Sequence, residues 1–305
     1  IVVNTRAAAL AIYREIAARN LAETYHLSTN MCAKHRLEVL DKVKEKLSVQ
    51  APVICVSTQL IEAGVDIDFG AVIRSLAGLD SIAQSAGRCN RHGLRDTLGA
   101  VWIVNLKEEV LDRLKDIKVG RAKAQTVMDD YRESPEAFEK DLIGLKAIST
   151  YYNYYYGQRE DEMNYAVTAD SYIGRADDLF NLLSTNTISK NSYFRNTNNT
   201  LDLSFPQSFR SAAKSFQVID SQTWGVIVPY DKGEQIIESL CDDCDLRDQK
   251  MLLREAQRYS VNLFSHQFNT LVQKGAIHEV RQGTSIFYLN KQFYSNDFGW
   301  SEEFV

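Results

Sequence analysis

The chain has 305 residues, 45% of them hydrophobic, which is enough apolar material for two cores. Its formal net charge of −5 excludes a uniformly basic surface, so any contact with nucleic acid must come from local basic patches. Five dispersed cysteines do not read as a disulfide framework, and there is no 18-residue apolar run or signal peptide, so a reduced cytoplasmic setting without a membrane partner is expected. The chain opens on Ile1-Val2-Val3 rather than Met and is expected to be part of something longer.

Over the first hundred residues short apolar runs alternate with amphipathic stretches, the pattern of a parallel sheet covered by helices. Ile1 to Val3 reads as a strand, and Asn4-Thr5 caps a helix from about Arg6 to Arg19. Tyr25 to Leu27 is a second strand, followed by a helix from about Cys32 to Leu47 with Leu37, Leu40, Val43 and Leu47 as its buried stripe. Val53 to Ser57 is a third strand, after which Thr58-Gln59 opens a short helix that Gly64 ends. Ala71 to Leu76, a helix from Ser81 to Arg88, and Ala100 to Leu106 complete the sheet.

Three strands therefore end in polar clusters that open helices: Asn4-Thr5, Ser28-Thr29-Asn30 and Ser57-Thr58-Gln59. In an open parallel sheet these ends share one edge, where helix amino termini offer N–H groups to anions. Each cluster is explained either by ordinary capping or by contact with a phosphodiester backbone. The densest chemistry lies in Gln84-Ser85-Ala86-Gly87-Arg88-Cys89-Asn90-Arg91. On a helix, Arg88 and Arg91 would share a face with Gln84 one turn earlier, and two guanidinium forks beside an amide suit a phosphate. A solvated basic helix end is the plainer alternative.

Taken in order, Asn4-Thr5, Leu27 to Met31 with His35-Arg36, Val56 to Phe69, and Gln84 to Arg91 resemble the second motor domain of a superfamily 2 helicase. More narrowly, Ser-Thr-Gln-Leu-Ile-Glu-Ala-Gly-Val-Asp-Ile-Asp-Phe and Gln-x-x-Gly-Arg-Cys-Asn-Arg-His-Gly are similar to the CRISPR-associated helicase-nuclease of type I interference. The resemblance covers residues 1 to about 106 and implies a RecA-like α/β motor domain. It implies that Arg88, Arg91 and Gln84 act on the γ-phosphate of ATP held by another motor domain, Arg91 as the arginine finger. Gly64 and Asp66 would line the nucleotide side of the cleft, while Asn4, Thr5, Ser28, Thr29 and Thr58 would face DNA phosphates. The implied partners are single-stranded DNA, N-terminal motor and nuclease domains, an RNA-guided surveillance complex and phage-encoded inhibitor proteins. The sequence departs from the family in one large respect. It has no G-x-x-x-x-G-K-[ST] phosphate loop, no Asp-Glu-x-His box and no His-Asp dyad. The chain is expected to complete an ATP site without forming one, with Mg²⁺ held elsewhere.

From Lys107 the texture changes. Leu111, Leu114 and Ile117 begin a helix running to about Tyr131, and Ser134-Pro135 restarts one, so residues 107–180 read as a helical connector. It contains five tyrosines in the six residues 151–156, suited either to stacking bases or to wedging two parts of the protein together. Residues 181–215 read as a loop or linker, because 181–204 carry six Asn and few large apolar groups. Residues 216–305 read as a small α+β accessory domain. Its expected elements are a hairpin of Phe216 to Ile219 with Val226 to Val228, helices at 234–240, 246–259 and 266–274, and a second hairpin around Gln282-Gly283. Cys241 and Cys244 lack two further ligands at zinc-site spacing and read as thiols of a polar loop. Two other functions compete: a different superfamily 2 helicase, acting on DNA or RNA, and a non-catalytic module that docks a protein partner through its acidic surface.

Overall fold

The computed structural model describes residues 1–303 except 94, 218–222 and 243–244. Two compact units are present, the first comprising Ile1–Tyr151 and Gln222–Val305, the second Tyr152–Ser221.

The first unit is organised by a parallel ladder. Thr5 caps α1 (Arg6–Ala18), its Oγ1 accepting from Ala8 N. β1 (Glu23–Leu27), α2 (Ala33–Ser48) and β2 (Val53–Ser57) follow, then a 3-10 turn over Gln59–Ile61. β3 (Ala71–Ser75), α3 (Leu79–Ala86) and β4 (Ala100–Val104) complete the ladder region. β1 pairs with β2 and β3 with β4, both in parallel. The N-terminal segment 1–3 joins the two pairs: Ser57 N donates to Ile1 O, Val3 N to Ser57 O, Val2 N to Ile73 O and Ser75 N to Val2 O, at 2.8–2.9 Å. The order is thus β1, β2, residues 1–3, β3, β4.

Alternation along the strands sends neighbours to opposite faces. Val2, Leu27 and Cys55 meet Val39 and Val43 of α2, whereas Val3 and Val56 meet Ala9, Ile12 and Ile16 of α1. Each fully buried aliphatic of this kind contributes about 1.5–3 kcal/mol. Of the expected stripe on α2, Leu40, Val43 and Leu47 pack into this core, but Leu37 is 50% exposed and Val39 is buried in its stead. The polar residue His35 is also buried, because it finds partners in the C-terminal segment.

α4 (Lys115–Glu133) starts later than the sequence suggests, after buried Glu109 and Leu111, and α5 (Leu145–Gly157) carries the tyrosine cluster. Tyr151 is buried, and its hydroxyl lies so near Gly78 and Gly120 that a methyl group on either would collide with it. Tyr154 and Tyr156 are exposed.

The second unit corrects the loop expectation for residues 181–215. After the antiparallel pair β5 (Ala166–Val167) and β6 (Asp177–Asp178), it carries α6 (Leu179–Leu183), α7 (Thr187–Thr197) and α8 (Phe209–Ser215). The asparagines that suggested a loop sit largely at helix ends. Asn186 and Asn198 take left-handed conformations flanking α7, and the Asn181 Oδ1 accepts from Thr187 N.

The C-terminal part of the first unit holds β7 (Thr223–Ile227), α9 (Lys232–Cys241), α10 (Leu246–Ala256), β8 (Ser260–Phe264) and α11 (Ser265–Gln273). Then come β9 (Ile277–Glu279), β10 (Phe287–Leu289), β11 (Tyr294–Ser295) and β12 (Gly299–Trp300). The four-stranded sheet runs β8-β7-β10-β9. The hairpin around Gly283 is present as β9–β10. The other expected hairpin is replaced: β7 pairs with β8 and β10, Phe216 is not in a strand, and Val218 and Ile219 lie outside the described residues. Cys244 also lies outside them.

The chain end returns to α2. The Cys32 N–H donates to the Tyr294 hydroxyl (3.2 Å) and Trp300 N to Asn30 O (2.9 Å). His35 Nδ1 meets the Tyr294 hydroxyl at 3.0 Å and Nε2 the Asn296 carbonyl at 2.8 Å, its ring stacked on Tyr230. Burial lowers the pKa of His35 to about 4, so it is held neutral.

Candidate functional site

The carboxyl ends of the parallel strands open on a groove of about 910 Å³. Thr5, Thr29 and Thr58, from three successive strand ends, line it together with Arg6, Arg113 and Trp300. Thr29 is exposed, and Thr58 opens the 3-10 turn without its side chain capping it. Arg6 donates to Asn30 Oδ1 at 2.9 Å, and its guanidinium carbon lies 5.5 Å from the Trp300 ring centroid. On the far wall Arg113 Nη1 is 3.1 Å from His266 Nε2, and Phe264 stacks on the His266 ring. Cations and aromatic faces in one groove are the elements of single-strand binding.

Asn4 and Ser28 differ from their expected placement. Both are buried and bonded within the protein, Asn4 at the wall of the groove. The Ser28 Oγ lies 2.8 Å from His26 Nε2 and accepts from Asn30 N, so it organises the loop from within. Asn4 is the hub of a buried network. Its N and Nδ2 donate to the two Glu109 oxygens at 2.7 and 2.8 Å, and its Oδ1 accepts from Arg74 Nη1 at 2.8 Å. Thr5 N also donates to Glu109, as does the Ser75 hydroxyl. Arg74 in turn pairs with Glu62 at 2.8 Å, and Glu62 accepts from the Ser85 hydroxyl of α3. Desolvation raises the Glu62 pKa against the opposing pull of Arg74.

The arginine segment is not one helical face. α3 stops at Ala86, Gly87 follows as its cap, and Asn90 takes a left-handed φ of 51°. Gln84 remains on α3, exposed. Arg88 is buried, and its Nε and Nη2 donate to the carbonyls of Ile61 and Glu62. It therefore fixes the turn ahead of Gly64, whose φ of +72° favours glycine. Arg91 diverges from it. Its side chain is 38% exposed and pairs with Asp66 at 3.0 Å, while its N–H donates to Asp68 at 2.9 Å. Asp66 is exposed, as is Gly64 two residues before it. An exposed pair of this kind contributes at most about 1 kcal/mol, so it binds Arg91 only weakly in place.

Arg6, Arg74, Arg113 and Trp300 were not singled out by the sequence reading. Two carried a usable signal. Arg74 is a lone cation inside the apolar strand Ala71–Ser75, where an unpaired charge would be costly. Arg6 is a cation in the first turn of α1, against the helix dipole, which implies another local function. Arg113 and Trp300 carried none, because the groove joins segments far apart in sequence.

Comparison with known proteins converges on one family. Residues 1–94 match the family model described as CRISPR-associated nuclease/helicase Cas3, C-terminal. The chain resembles the C-terminal portion of Cas3. A Cas3 of Methanothermobacter thermautotrophicus is 34% identical over 92 residues, covering 30% of this chain and 11% of that protein. One from Haloferax volcanii is 57% identical over 42 residues, covering 14% and 4%. A crystal structure of T. fusca Cas3 superposes with a TM-score of 0.54 at 14% identity, covering 94% of this chain and 35% of that chain. Its ADP-bound form gives 0.51, covering 87% and 32%. The fold is therefore shared well beyond the 94 matched residues, and the chain spans about a third of the Cas3 structures.

Proposed function

We propose that this chain is the second RecA-like motor domain and C-terminal part of an ATP-dependent single-stranded DNA translocase of CRISPR type I interference. Nuclease activity, the first motor domain and Mg²⁺ binding are assigned to the rest of the protein. The observation that carries this reading is the convergence of Thr5, Thr29 and Thr58 on one groove, with Arg6 and Arg113 as cations and Trp300 and Phe264 as aromatic surface. The groove also holds Asp112 and Glu302, so it is the two guanidinium forks set among hydroxyls and aromatic faces, rather than a net positive charge, that favour a phosphodiester ligand.

The nucleotide side follows from the contrast between the arginines. Arg91, exposed and weakly paired, can reach a γ-phosphate presented by the first motor domain, whereas Arg88 holds Ile61 and Glu62 in place behind it. The residues present fit one side of ATP only, since the sequence has no phosphate loop or acidic box to hold its β- and γ-phosphates and Mg²⁺. When bound, ATP supplies the hydrolysis that drives translocation. The strand it acts on is the one displaced by a guide RNA, delivered by the surveillance complex in the cytoplasm.

The test is binding of a single-stranded oligonucleotide to this chain, followed by fluorescence anisotropy across a salt series. Weak, sequence-independent affinity that falls steeply with salt is expected. Strong sequence preference, or affinity unaffected by salt, refutes the groove assignment. The chain alone should show no DNA-stimulated ATP hydrolysis, and robust turnover would refute the division of labour.

A further inference from the structure

Arg74 lies outside the motif segments yet stands between the two functional edges. It is wholly buried on β3, with Nε beside Glu62 Oε1 and Nη1 donating to Asn4 Oδ1 and Ser75 O at 2.8 Å. Its Nη2 is buried without a hydrogen-bond partner among the described residues. A guanidinium offers five donors in a fixed fork, so this leaves real bonding capacity inside the protein. Against the desolvation that opposes it, its charge is supported by Glu62, then by Glu109, with Asp80 behind them.

Glu62 and Glu109 serve opposite edges. Glu109 accepts from the backbone N–H groups of Asn4 and Thr5, at the lip of the groove. Glu62 accepts from Ser85 of α3, and its carbonyl receives Arg88, three residues before Arg91. In the observed arrangement the fork grips Glu62 and leaves Nη2 free. Turned toward Glu109, it would loosen Glu62 and the turn that Arg88 holds.

We propose that Arg74 is a positioning residue that couples occupation of the groove to the placement of the Arg88–Arg91 segment. The proposal rests on the nucleic-acid reading of the groove. A phosphate arriving at Thr5 draws on the amino terminus of α1, whose nearest N–H groups already engage Glu109. Its negative charge repels the Glu109 carboxylate, which Arg74 is placed to receive. In a water-excluded network this exchange is all-or-none, because a half-paired charge is costly there. The coupling thus has a named bistable element and two named edges.

Amide hydrogen exchange on this chain, with and without oligothymidine, tests the proposal. In the unaltered chain the groove amides of residues 5–8 and 29–31 should respond to the oligonucleotide. The amides of residues 61–66 and 86–92 should respond too, by about fivefold. In Arg74→Lys, which keeps the charge and loses the fork, the groove response should persist while the remote one disappears. A remote response absent from the unaltered chain, or undiminished in Arg74→Lys, overturns the coupling. If the groove amides fail to respond in the unaltered chain, the groove reading itself fails and the coupling with it. Should Arg74→Lys not fold, Ser85→Ala cuts only the Glu62–α3 hydrogen bond. It should reduce the response at 86–92 at least twofold, and a full response there overturns the proposal equally.

Discussion

The interior of the sheet's carboxyl edge and its solvent-facing rim are built from neighbouring residues of the same motifs, and they are put to different uses. Asn4, Ser28 and Arg88 are buried and bonded to the protein, while Thr5, Thr29 and Arg91 retain access to solvent and Thr58, itself buried, lines the groove. Arg88 and Arg91 stand three positions apart, but the end of α3 at Gly87 and the left-handed Asn90 send them apart. The lesson is that such a motif pairs each residue of the rim with one that fixes its backbone. Loss of the first should change function with the fold intact, whereas loss of the second should appear first as instability.

The largest expected effect tests the rim. In the complete protein Arg91→Lys should lower ATP turnover by about 10³ or more, since lysine keeps the charge without the planar fork. The melting temperature of this chain should not move, because an exposed ion pair contributes little. Unchanged turnover would falsify the arginine-finger assignment.

The next effect tests the interior through pH. Burial holds the His35 pKa near 4, below its ordinary value of 6.5, so the unfolded chain binds more protons between these values. The stability contributed by neutral His35 is therefore complete above pH 6.5 and is lost as pH falls toward 4, by about 3 kcal/mol. His26 shifts in the same direction for the same reason. Urea denaturation at stepped pH should show this slope, and His35→Gln should flatten it; an acid slope identical in the variant would remove His35 as its source. A smaller interior effect is expected of Asn4→Ala, about 2–3 kcal/mol, because Glu109 and Arg74 each lose a buried partner. A melting-temperature shift within error would contradict the network.

The strands of the first hundred residues and their parallel sense were legible because each apolar run and each capping cluster is local, whereas their spatial order was not. Thr5 caps α1 as its position suggests. The direction in which each polar residue points was not legible. Asn4 and Thr5 are equally good caps, and it is Glu109, more than a hundred residues away, together with Arg74, that draws Asn4 inward. The far wall of the groove was hidden for the same reason, since Trp300 and His266 reach it through long-range packing. The helices of the second unit were missed because Asn at helix ends and Asn in loops are alike in composition.

The smallest expected effect sharpens the contrast within the groove itself. Thr58 lines it with a hydroxyl that does not cap its own turn, whereas the Thr5 hydroxyl is committed to Ala8 N. Thr58→Ala should therefore weaken oligonucleotide binding by about 1 kcal/mol, the net contribution of one hydrogen bond, while stability changes little. Thr5→Ala removes a helix cap and should cost about 1 kcal/mol of stability as well. Anisotropy and thermal melting on both variants separate the two. Because a hydroxyl contact to phosphate releases no counterion, Thr58→Ala should leave the salt slope unchanged, whereas Arg113→Ala should reduce it by about one. If Thr58→Ala flattened the slope as Arg113→Ala does, the hydroxyl's effect on affinity would have to run through the placement of a cation rather than through direct contact.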